Sequence, residues 1–207
     1  MKYDVYMVGV GGQGILTIGE ILSRAALVKD LPVNFYPSKG MAQRGGFVKA
    51  QLRIGRDIVG PNIPEHGADL VLSMEVSEAL KAVRFVKPGG DLVLFGDVWA
   101  PTAVMLGKAS YPTVDAVLGE VQKSGARLVY INPQAIPTYK DSKVAENIFM
   151  LGATLKHTAL SKIFTAAEID QVIQERWKKA AEANRFSLHA GLDFKLEEQM
   201  ISSQANQ

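Results

Sequence analysis

The feature that most constrains the fold is a glycine-rich turn between an apolar segment and an amphipathic one. Residues 5–10 form a short apolar run typical of a buried strand, and it leads into Gly9-Val10-Gly11-Gly12-Gln13-Gly14. Apolar residues at spacings of three and four follow from residue 15, which predicts a helix with one buried face. With the strand-like segment 33–36 after it, this is a βαβ unit, which implies a parallel sheet.

The middle of the chain alternates between strand-like and helix-like segments. Strands are predicted at 47–54, 69–74, 91–95 and 127–131, and helices at 76–86 and 114–121. In segment 47–54, apolar residues alternate with Lys49, Gln51 and Arg53, which predicts a strand with one solvated face. Segment 99–112 contains glycine and prolines and is expected to be a loop or short hairpin. The alternation predicts an α/β fold, doubly wound and Rossmann-like, with a mostly parallel sheet.

After residue 137 the pattern becomes helical. Apolar residues share one helix face between Val144 and Leu155, and Thr165 to Glu168 forms a capping box that begins a second helix. Segment 182–200 is expected to be helical with a break near Gly191. We predict a single domain over residues 1–207, with a core at about 1–137 and a C-terminal helical extension at about 138–207.

Composition excludes several classes of protein. The chain has 207 residues and no cysteine, so it cannot form a disulfide or hold an iron–sulfur cluster through thiolates. Its 3 histidines are scattered, so no metal site is expected. A net charge of +2 gives no sign of a nucleic-acid partner. Without a membrane-length apolar run or a secretory signal, we expect a cytoplasmic protein with no membrane contact.

The glycine turn is the first candidate binding site. Gly9, Gly11 and Gly14 satisfy the pattern G-x-G-x-x-G after a strand and at the start of a helix, where free backbone N–H groups and the helix dipole attract phosphate. A nicotinamide or flavin site normally adds an acidic residue at the end of the second strand to bind ribose. No acidic residue occurs between Leu31 and Arg56. This absence opposes a dinucleotide site.

The acid-free stretch is the second candidate site. It carries Lys39, Arg44, Lys49, Arg53 and Arg56. In its loop, Ser38 and Lys39 could reach phosphate oxygens, and Arg44, followed by Gly45, could offer two donors to a phosphate or carboxylate. A solvated loop or a surface for a protein partner would leave the same pattern.

Catalytic signatures are missing from the sequence. There is no G-x-S-x-G elbow, no G-x-x-x-x-G-K-[ST] loop and no kinase signature. Gly96-Asp97 lacks the residues of a thiamine diphosphate motif, and no acid/base pair stands out. We assign no catalytic residue and predict a binding subunit.

Three separated motifs together resemble one known family. They are GVGGQG at 9–14, YPSKGMAQRGG at 36–46 and NIFMLGA at 147–153. In this order they are similar to the gamma-type domain of 2-oxoacid:ferredoxin oxidoreductases, and most of all to the beta subunit in the indolepyruvate branch. Where many relatives carry tyrosine-glycine-proline-glutamate before the arginine, this chain has Lys39-Gly40-Met41-Ala42-Gln43.

The resemblance implies a division of labour between two subunits. A catalytic alpha subunit would hold thiamine diphosphate, magnesium and iron–sulfur clusters, decarboxylate an arylpyruvate oxidatively to acyl-coenzyme A and CO2, and pass electrons to ferredoxin. The present chain would be inactive alone, and an α2β2 assembly is expected. By analogy, its gamma-type domain helps to form the coenzyme A site.

The expected coenzyme A site combines both candidate regions. Backbone at Gly11, Gly12 and Gly14 would support a phosphate with Gln13 as a polar contact, and Ser38, Lys39 and Arg44 would complete the pocket. Two alternatives stay open: a free-standing dinucleotide-dependent oxidoreductase, and a docking subunit that contacts no small ligand and uses its glycines only for packing.

Overall fold

A computed structural model describes residues 1–39 and 45–196. The strands are β1 (Tyr3–Val10), β2 (Val33–Lys39), β3 (Phe47–Ile54), β4 (Ala68–Ser73), β5 (Val86–Phe95), β6 (Arg127–Ile131), β7 (Thr138–Tyr139) and β8 (Ser142–Lys143). The helices are α1 (Ile15–Val28), α2 (Val76–Ala82), α3 (Thr102–Met105), α4 (Val114–Lys123), α5 (Glu146–His157), α6 (Ala166–Arg176) and α7 (Ala181–Leu192).

The main sheet has six strands in the order β2-β3-β1-β4-β5-β6. β1, β4, β5 and β6 are parallel neighbours, whereas β3 runs antiparallel to both β1 and β2. β2 therefore runs in the same direction as β1, and the unit β1-α1-β2 crosses over β3. The predicted mostly parallel sheet is confirmed, with one reversed strand inside it.

Helices cover both faces of the sheet, which confirms the doubly wound α/β fold. Val5 and Met7 of β1 pack into a core shared with α1, α5, α6 and α7. Tyr6 and Val8 point to the opposite face and pack into a core shared with α2 and α4. This alternation follows from the two-residue period of a strand, and it explains why β1 is apolar along its whole length.

The C-terminal helices begin where the sequence places them. The Thr165 hydroxyl accepts from the Glu168 N–H at 3.3 Å, and the Glu168 carboxylate accepts from the Thr165 N–H at 2.8 Å, so the predicted capping box starts α6. α7 ends at Leu192, one residue after the expected break near Gly191. The expected helix beyond residue 196 lies outside the described residues. No helix in 1–39 or 45–196 has the length and apolar character to cross a bilayer.

The prediction of a solvated face on β3 is wrong. Gln51 and Arg53 are 5% and 7% exposed because β3 lies inside the sheet and segment 57–63 covers this face. The Ile63 N–H donates to Gln51 Oε1 at 2.6 Å, and Arg53 Nη1 donates to the carbonyl of Gly60 at 3.1 Å. Only the end of the strand near Lys49 is partly solvated.

Candidate functional site

The glycine turn lies at the carboxyl edge of the parallel strands, next to the points where β4 and β5 end. Strand order changes direction at β1, because the chain passes to β2 and β3 on one side and to β4 on the other. Open α/β sheets bind ligands in the crevice at such a switch point. The candidate site is therefore built from the turn and the segments that follow β4 and β5.

Gly14 is required at the start of α1 for two reasons. Its φ of 77° is in the left-handed region, which favours glycine. A Cβ at this position would also lie 2.5 Å from Nδ2 of Asn147, which donates to the Gly14 carbonyl at 3.1 Å. Gly12 has a φ of 110° with open space around it, so there only the backbone conformation requires glycine. Asn147 on α5 thus fixes the turn that precedes α1.

Several peptide N–H groups at the start of α1 have no acceptor in the described part of the chain. The Thr17 N–H donates to the Gly14 carbonyl at 3.0 Å, whereas those of Gly12, Gly14, Ile15 and Leu16 meet no acceptor among residues 1–39 and 45–196. The first turn of α1 carries no acidic side chain. Free N–H groups and the positive end of a 14-residue helix favour an anion here.

The loop after β2 returns to the same turn. The Gly11 N–H donates to the Gly46 carbonyl at 2.8 Å, and the Gly45 N–H donates to the Gly11 carbonyl at 3.2 Å. The backbone of Gly11 is thus engaged within the protein. At its other end the loop begins beside β1, since Lys39 pairs with Val48, which also pairs with Gly9. Both ends of the loop border the glycine turn.

The predicted loop contacts are only partly described. Residues 40–44, and with them Arg44, lie outside the described residues, as does the side chain of Lys39. Ser38 is exposed and pairs with Lys49 of β3, on the face of the sheet that carries α2. Within the described ranges Ser38 makes no hydrogen bond to the glycine turn. The structure brings Gly9, Gly11, Gly12, Gln13, Gly14 and Gly45 together.

Gln13 ties three strand ends together. Its Oε1 accepts from the Val10 N–H at 2.8 Å, and its Nε2 donates to the Met74 carbonyl and to Asp97 Oδ2, both at 2.9 Å. Gly9 leaves room for this amide, since a Cβ there would lie 3.0 Å from Gln13 Oε1. The side chain predicted to contact a ligand is used in holding the site together.

A buried carboxylate, which sequence reasoning missed, anchors the segments after β4 and β5. Glu75 is fully buried at the start of α2. It accepts from the N–H of Glu78 at 2.9 Å, the hydroxyl of Ser77 at 2.7 Å and the N–H of Trp99 at 3.2 Å. The hydroxyl of Tyr111 also hydrogen-bonds to it. An acidic residue between an apolar strand and a helix start was the signal available in the sequence.

This anchor perturbs the titration of Tyr111. Burial, followed by the hydrogen bond and the charge of Glu75, raises the pKa of Tyr111 above its usual value. The phenol therefore stays protonated and donates to Glu75 throughout the physiological range.

Two further carboxylates flank the glycine turn. Asp97 follows β5 and accepts from Gln13, and Glu146 is the first residue of α5, next to Asn147. Burial raises the pKa of Glu146, the nearby Asp97 raises it further, and Lys143 opposes the shift. This side of the turn is therefore acidic, so an anion is favoured on the side of β3 and the loop after β2.

Part of the basic stretch has a structural role. Arg53 and Arg56 both donate two hydrogen bonds to the Asp4 carboxylate, at 2.9–3.2 Å. Asp4 is 2% exposed and lies at the start of β1, about 20 Å from the glycine turn at ~3.3 Å per strand residue. These two cations are consequently not part of the site. Lys39 and Lys49 are the basic residues of the described part of the stretch that lie toward the turn's edge of the sheet.

No group of three or more histidine, aspartate or glutamate side chains within 1–39 and 45–196 could hold a metal ion. With no cysteine in the chain, thiolate ligands are absent as well. Within the described residues, the site offers peptide N–H groups and the indole of Trp99. Such groups bind an anionic or aromatic ligand rather than a metal.

Comparison with known proteins identifies the family. The pyruvate ferredoxin/flavodoxin oxidoreductase family matches residues 4–194. The chain belongs to this family. Indolepyruvate oxidoreductase subunit IorB of Archaeoglobus fulgidus is 34% identical over 192 residues, which are 92% of this chain and 94% of that protein. IorB of Thermococcus kodakarensis is 35% identical over 73% of this chain and 76% of its own length. The predicted resemblance to the indolepyruvate branch is confirmed.

Two solved structures of oxidoreductase proteins share the fold. The pyruvate oxidoreductase subunit PORC of Thermotoga maritima matches with a TM-score of 0.64 at 19% identity, over 93% of this chain and 96% of that chain. A 2-oxoglutarate:ferredoxin oxidoreductase from Magnetococcus marinus, with 2-oxoglutarate, coenzyme A and succinyl-CoA bound, matches with a TM-score of 0.60 at 18% identity. There the match covers 93% of this chain and 30% of that chain.

Proposed function

We propose that this chain is the non-redox beta subunit of a complex that oxidises indolepyruvate or a related arylpyruvate. The complex would convert the 2-oxoacid and coenzyme A to acyl-coenzyme A and CO2 and transfer the electrons to ferredoxin. The observation that carries the proposal is the 34% identity to IorB of Archaeoglobus fulgidus over 92% of the chain. A cytoplasmic location, expected from the sequence, is part of the same proposal.

The partner in this proposal is a catalytic alpha subunit, in an α2β2 assembly. Because the present chain has no cysteine, thiolate ligands for iron–sulfur clusters must come from the partner. Thiamine diphosphate and magnesium belong to the partner as well, since this chain lacks the motif that would hold them. The chain alone would then have no oxidoreductase activity, and ferredoxin would meet the complex through the partner.

The contribution of this chain is a phosphate-binding part of the coenzyme A site. The N–H groups of Gly12 and Gly14 would donate to a phosphate, and Lys39 and Arg44 would approach from the loop after β2. Support comes from the unpaired N–H groups at the start of α1, from the hydrogen bonds that join Gly45 to the turn, and from the basic loop sequence. The Magnetococcus marinus protein of the same fold binds coenzyme A.

The carboxylates of Asp97 and Glu146 restrict where the phosphate can lie. Both are on the side of β5 and α5, so the phosphate would occupy the side of β3, next to Gly45. There the loop can supply positive charge without direct competition from the two acids.

The test uses the complex purified from co-expression with the catalytic subunit. Lys39→Ala and Arg44→Ala are each compared with Lys156→Ala, which removes an exposed lysine near the end of α5. A charge-assisted hydrogen bond contributes about 1.5–3 kcal/mol, so each site variant should raise KM for coenzyme A about tenfold or more. KM for the arylpyruvate should not change, and Lys156→Ala should behave as the unmodified complex.

The outcomes separate the two parts of the proposal. If the complex oxidises arylpyruvate but both site variants keep the original KM for coenzyme A, the pocket is wrong and the docking alternative gains support. If the purified complex fails to oxidise any arylpyruvate with coenzyme A present, the assigned function itself is wrong.

A further inference from the structure

Trp99 is a half-exposed indole at the edge of the glycine turn. It follows β5, and 41% of its surface is exposed. A Cβ placed on Gly45 would lie 3.2 Å from Nε1 of this indole and 3.8 Å from its Cζ2. Gly45 in turn donates its N–H to the Gly11 carbonyl. The indole therefore lies beside the segment that is hydrogen-bonded to the glycine turn.

The backbone of Trp99 is held by the buried carboxylate of Glu75. Glu75 Oε1 accepts from the Trp99 N–H at 3.2 Å and from the Tyr111 hydroxyl, while its Oε2 accepts from the Glu78 N–H at 2.9 Å. One carboxylate oxygen of Glu75 is therefore held by α2, and the other is held by the segment that follows β5. The hydrogen bond to Glu75 holds the backbone of Trp99 and so limits the region that its side chain can reach.

An exposed aromatic ring beside a turn that is proposed to bind phosphate suits a nucleotide. We propose that Trp99 is the platform on which the adenine ring of coenzyme A stacks, and that Glu75 is the residue that positions it. This inference rests on the proposed coenzyme A site and names the group that recognises the nucleotide end of the ligand. Indole has the largest flat surface of any side chain, and base–aromatic stacking requires no particular hydrogen-bond pattern.

The segment after β5 could instead contact a protein partner, and the experiment distinguishes this alternative. Val98 is 51% exposed, and Met105 at the end of α3 and the following Leu106 are 69% and 62% exposed, as in a surface that meets a protein. The indole differs from these three because it lies beside Gly45, which is hydrogen-bonded to the glycine turn. We therefore assign the ring to the ligand, and contact with the partner subunit becomes an outcome of the test.

The test compares two thiol substrates in the assembled complex. Coenzyme A carries adenine, whereas 4′-phosphopantetheine carries the same thiol arm without it. Stacking of one base on an aromatic ring contributes about 1–3 kcal/mol, so Trp99→Ala should raise KM for coenzyme A about 5- to 150-fold. KM for phosphopantetheine should not change. Trp99→Phe keeps a smaller platform and should give an intermediate KM for coenzyme A.

Glu75→Gln tests the positioning role through the ratio of KM for coenzyme A to KM for phosphopantetheine. It should raise KM for coenzyme A relative to phosphopantetheine, which a loss of stability alone would not do. Trp99→Phe keeps the experiment decisive if the other variants fail to fold.

Fluorescence gives an independent readout of the stack. The chain has 2 tryptophans, so Trp177→Phe leaves Trp99 as its only indole. Because the partner subunit can contribute its own signal, the difference between the Trp177→Phe complex and the same complex with Trp99→Phe reports Trp99. Coenzyme A should quench this difference, and phosphopantetheine should not.

Three results would overturn the inference. If Trp99→Ala leaves KM for coenzyme A unchanged while Arg44→Ala raises it, the platform is contradicted and the phosphate site is supported. Equal losses with both thiols and weaker co-purification of the partner assign the indole to the subunit interface. If neither Trp99→Ala nor Arg44→Ala changes KM for coenzyme A, the proposed coenzyme A site is wrong, and the proposed platform is wrong with it.

Discussion

The side-chain amide of Gln13 donates to Asp97 Oδ2 at 2.9 Å and so joins the turn after β1 to the end of β5, across the intervening β4. The same nitrogen donates to the Met74 carbonyl, at the end of β4. One uncharged side chain therefore connects three parallel strands at the edge where the ligand is proposed to bind. Glutamate would fit the space but would oppose the charge of Asp97.

Replacement of Gln13 should destabilise the fold. Gln13→Ala removes three hydrogen bonds at a partly buried site, each worth about 1 kcal/mol, and should lower the free energy of unfolding by about 2–4 kcal/mol. Gln13→Glu should cost at least as much at neutral pH. Urea unfolding of the purified chain measures both, with Gln122→Ala on the exposed face of α4 as the control. A Gln13→Ala protein as stable as this control would show that the amide contacts are not formed.

Gly14 and Asn147 should show energetic coupling. Gly14→Ala combines a left-handed backbone, at about 1–3 kcal/mol, with a clash against Asn147 Nδ2. Gly12→Ala has a backbone cost but no clash with Asn147, so it should show no coupling to Asn147. In an Asn147→Ala background the clash disappears, so Gly14→Ala should cost less there than in the original sequence. A double-mutant cycle on unfolding free energies measures this, and strict additivity would argue against the contact.

Asp4 should be essential for stability but should not affect the binding of coenzyme A. Asp4→Asn leaves Arg53 and Arg56 without their buried carboxylate and should cost about 3–5 kcal/mol. Asp57→Asn, at an exposed position, serves as the control and should be nearly neutral. KM for coenzyme A in any folded Asp4→Asn complex should match the original. A raised KM for coenzyme A with unaltered stability would show that Arg53 and Arg56 contribute to ligand binding.

Glu146 should make stability depend on pH. Burial and Asp97 raise its pKa in the folded chain above the ordinary value of 4.5, so the folded state favours the protonated form. Stability should therefore fall as pH rises from the ordinary pKa through the raised one. Glu146→Gln should be more stable than the original chain near pH 7, and the difference should vanish near pH 4. Melting temperatures across this range measure it.

The same substitution also tests the direction of the charge effect on binding. Removing a negative charge beside the turn should lower KM for coenzyme A at neutral pH, because the phosphate would meet less repulsion. The matched control is Glu175→Gln on the exposed face of α6. A higher KM in Glu146→Gln would mean that the carboxylate contacts the ligand favourably.

Local signals in the sequence were sufficient for the glycine turn and α1. The apolar residues at spacings of three and four from residue 15, which include Ile18 and Leu22, are the ones that α1 buries. The capping box at Thr165 was likewise visible, because both of its hydrogen bonds lie within four residues. These features depend on neighbours in the chain, which a periodic pattern reports directly.

Features that depend on distant segments could not be predicted in this way. The polar residues of β3 indicated solvent, but Arg53 is buried by Asp4 from β1 and by carbonyls of segment 60–62. Glu75 becomes an anchor only because Trp99 and Tyr111 return to it. The partners of Gln13 at Met74 and Asp97 are also remote. In each case the polar partner lies too far along the chain for periodicity to reveal.

The most direct test of the central claim is ferredoxin reduction by the chain alone, the catalytic subunit alone and their co-purified complex, each titrated with coenzyme A and an arylpyruvate. We predict that only the complex turns over, that its rate saturates with coenzyme A, and that Arg44→Ala in this chain shifts that saturation to higher concentration. Turnover by the isolated chain, or a coenzyme A saturation curve that neither Arg44→Ala nor Lys39→Ala alters, would contradict the account.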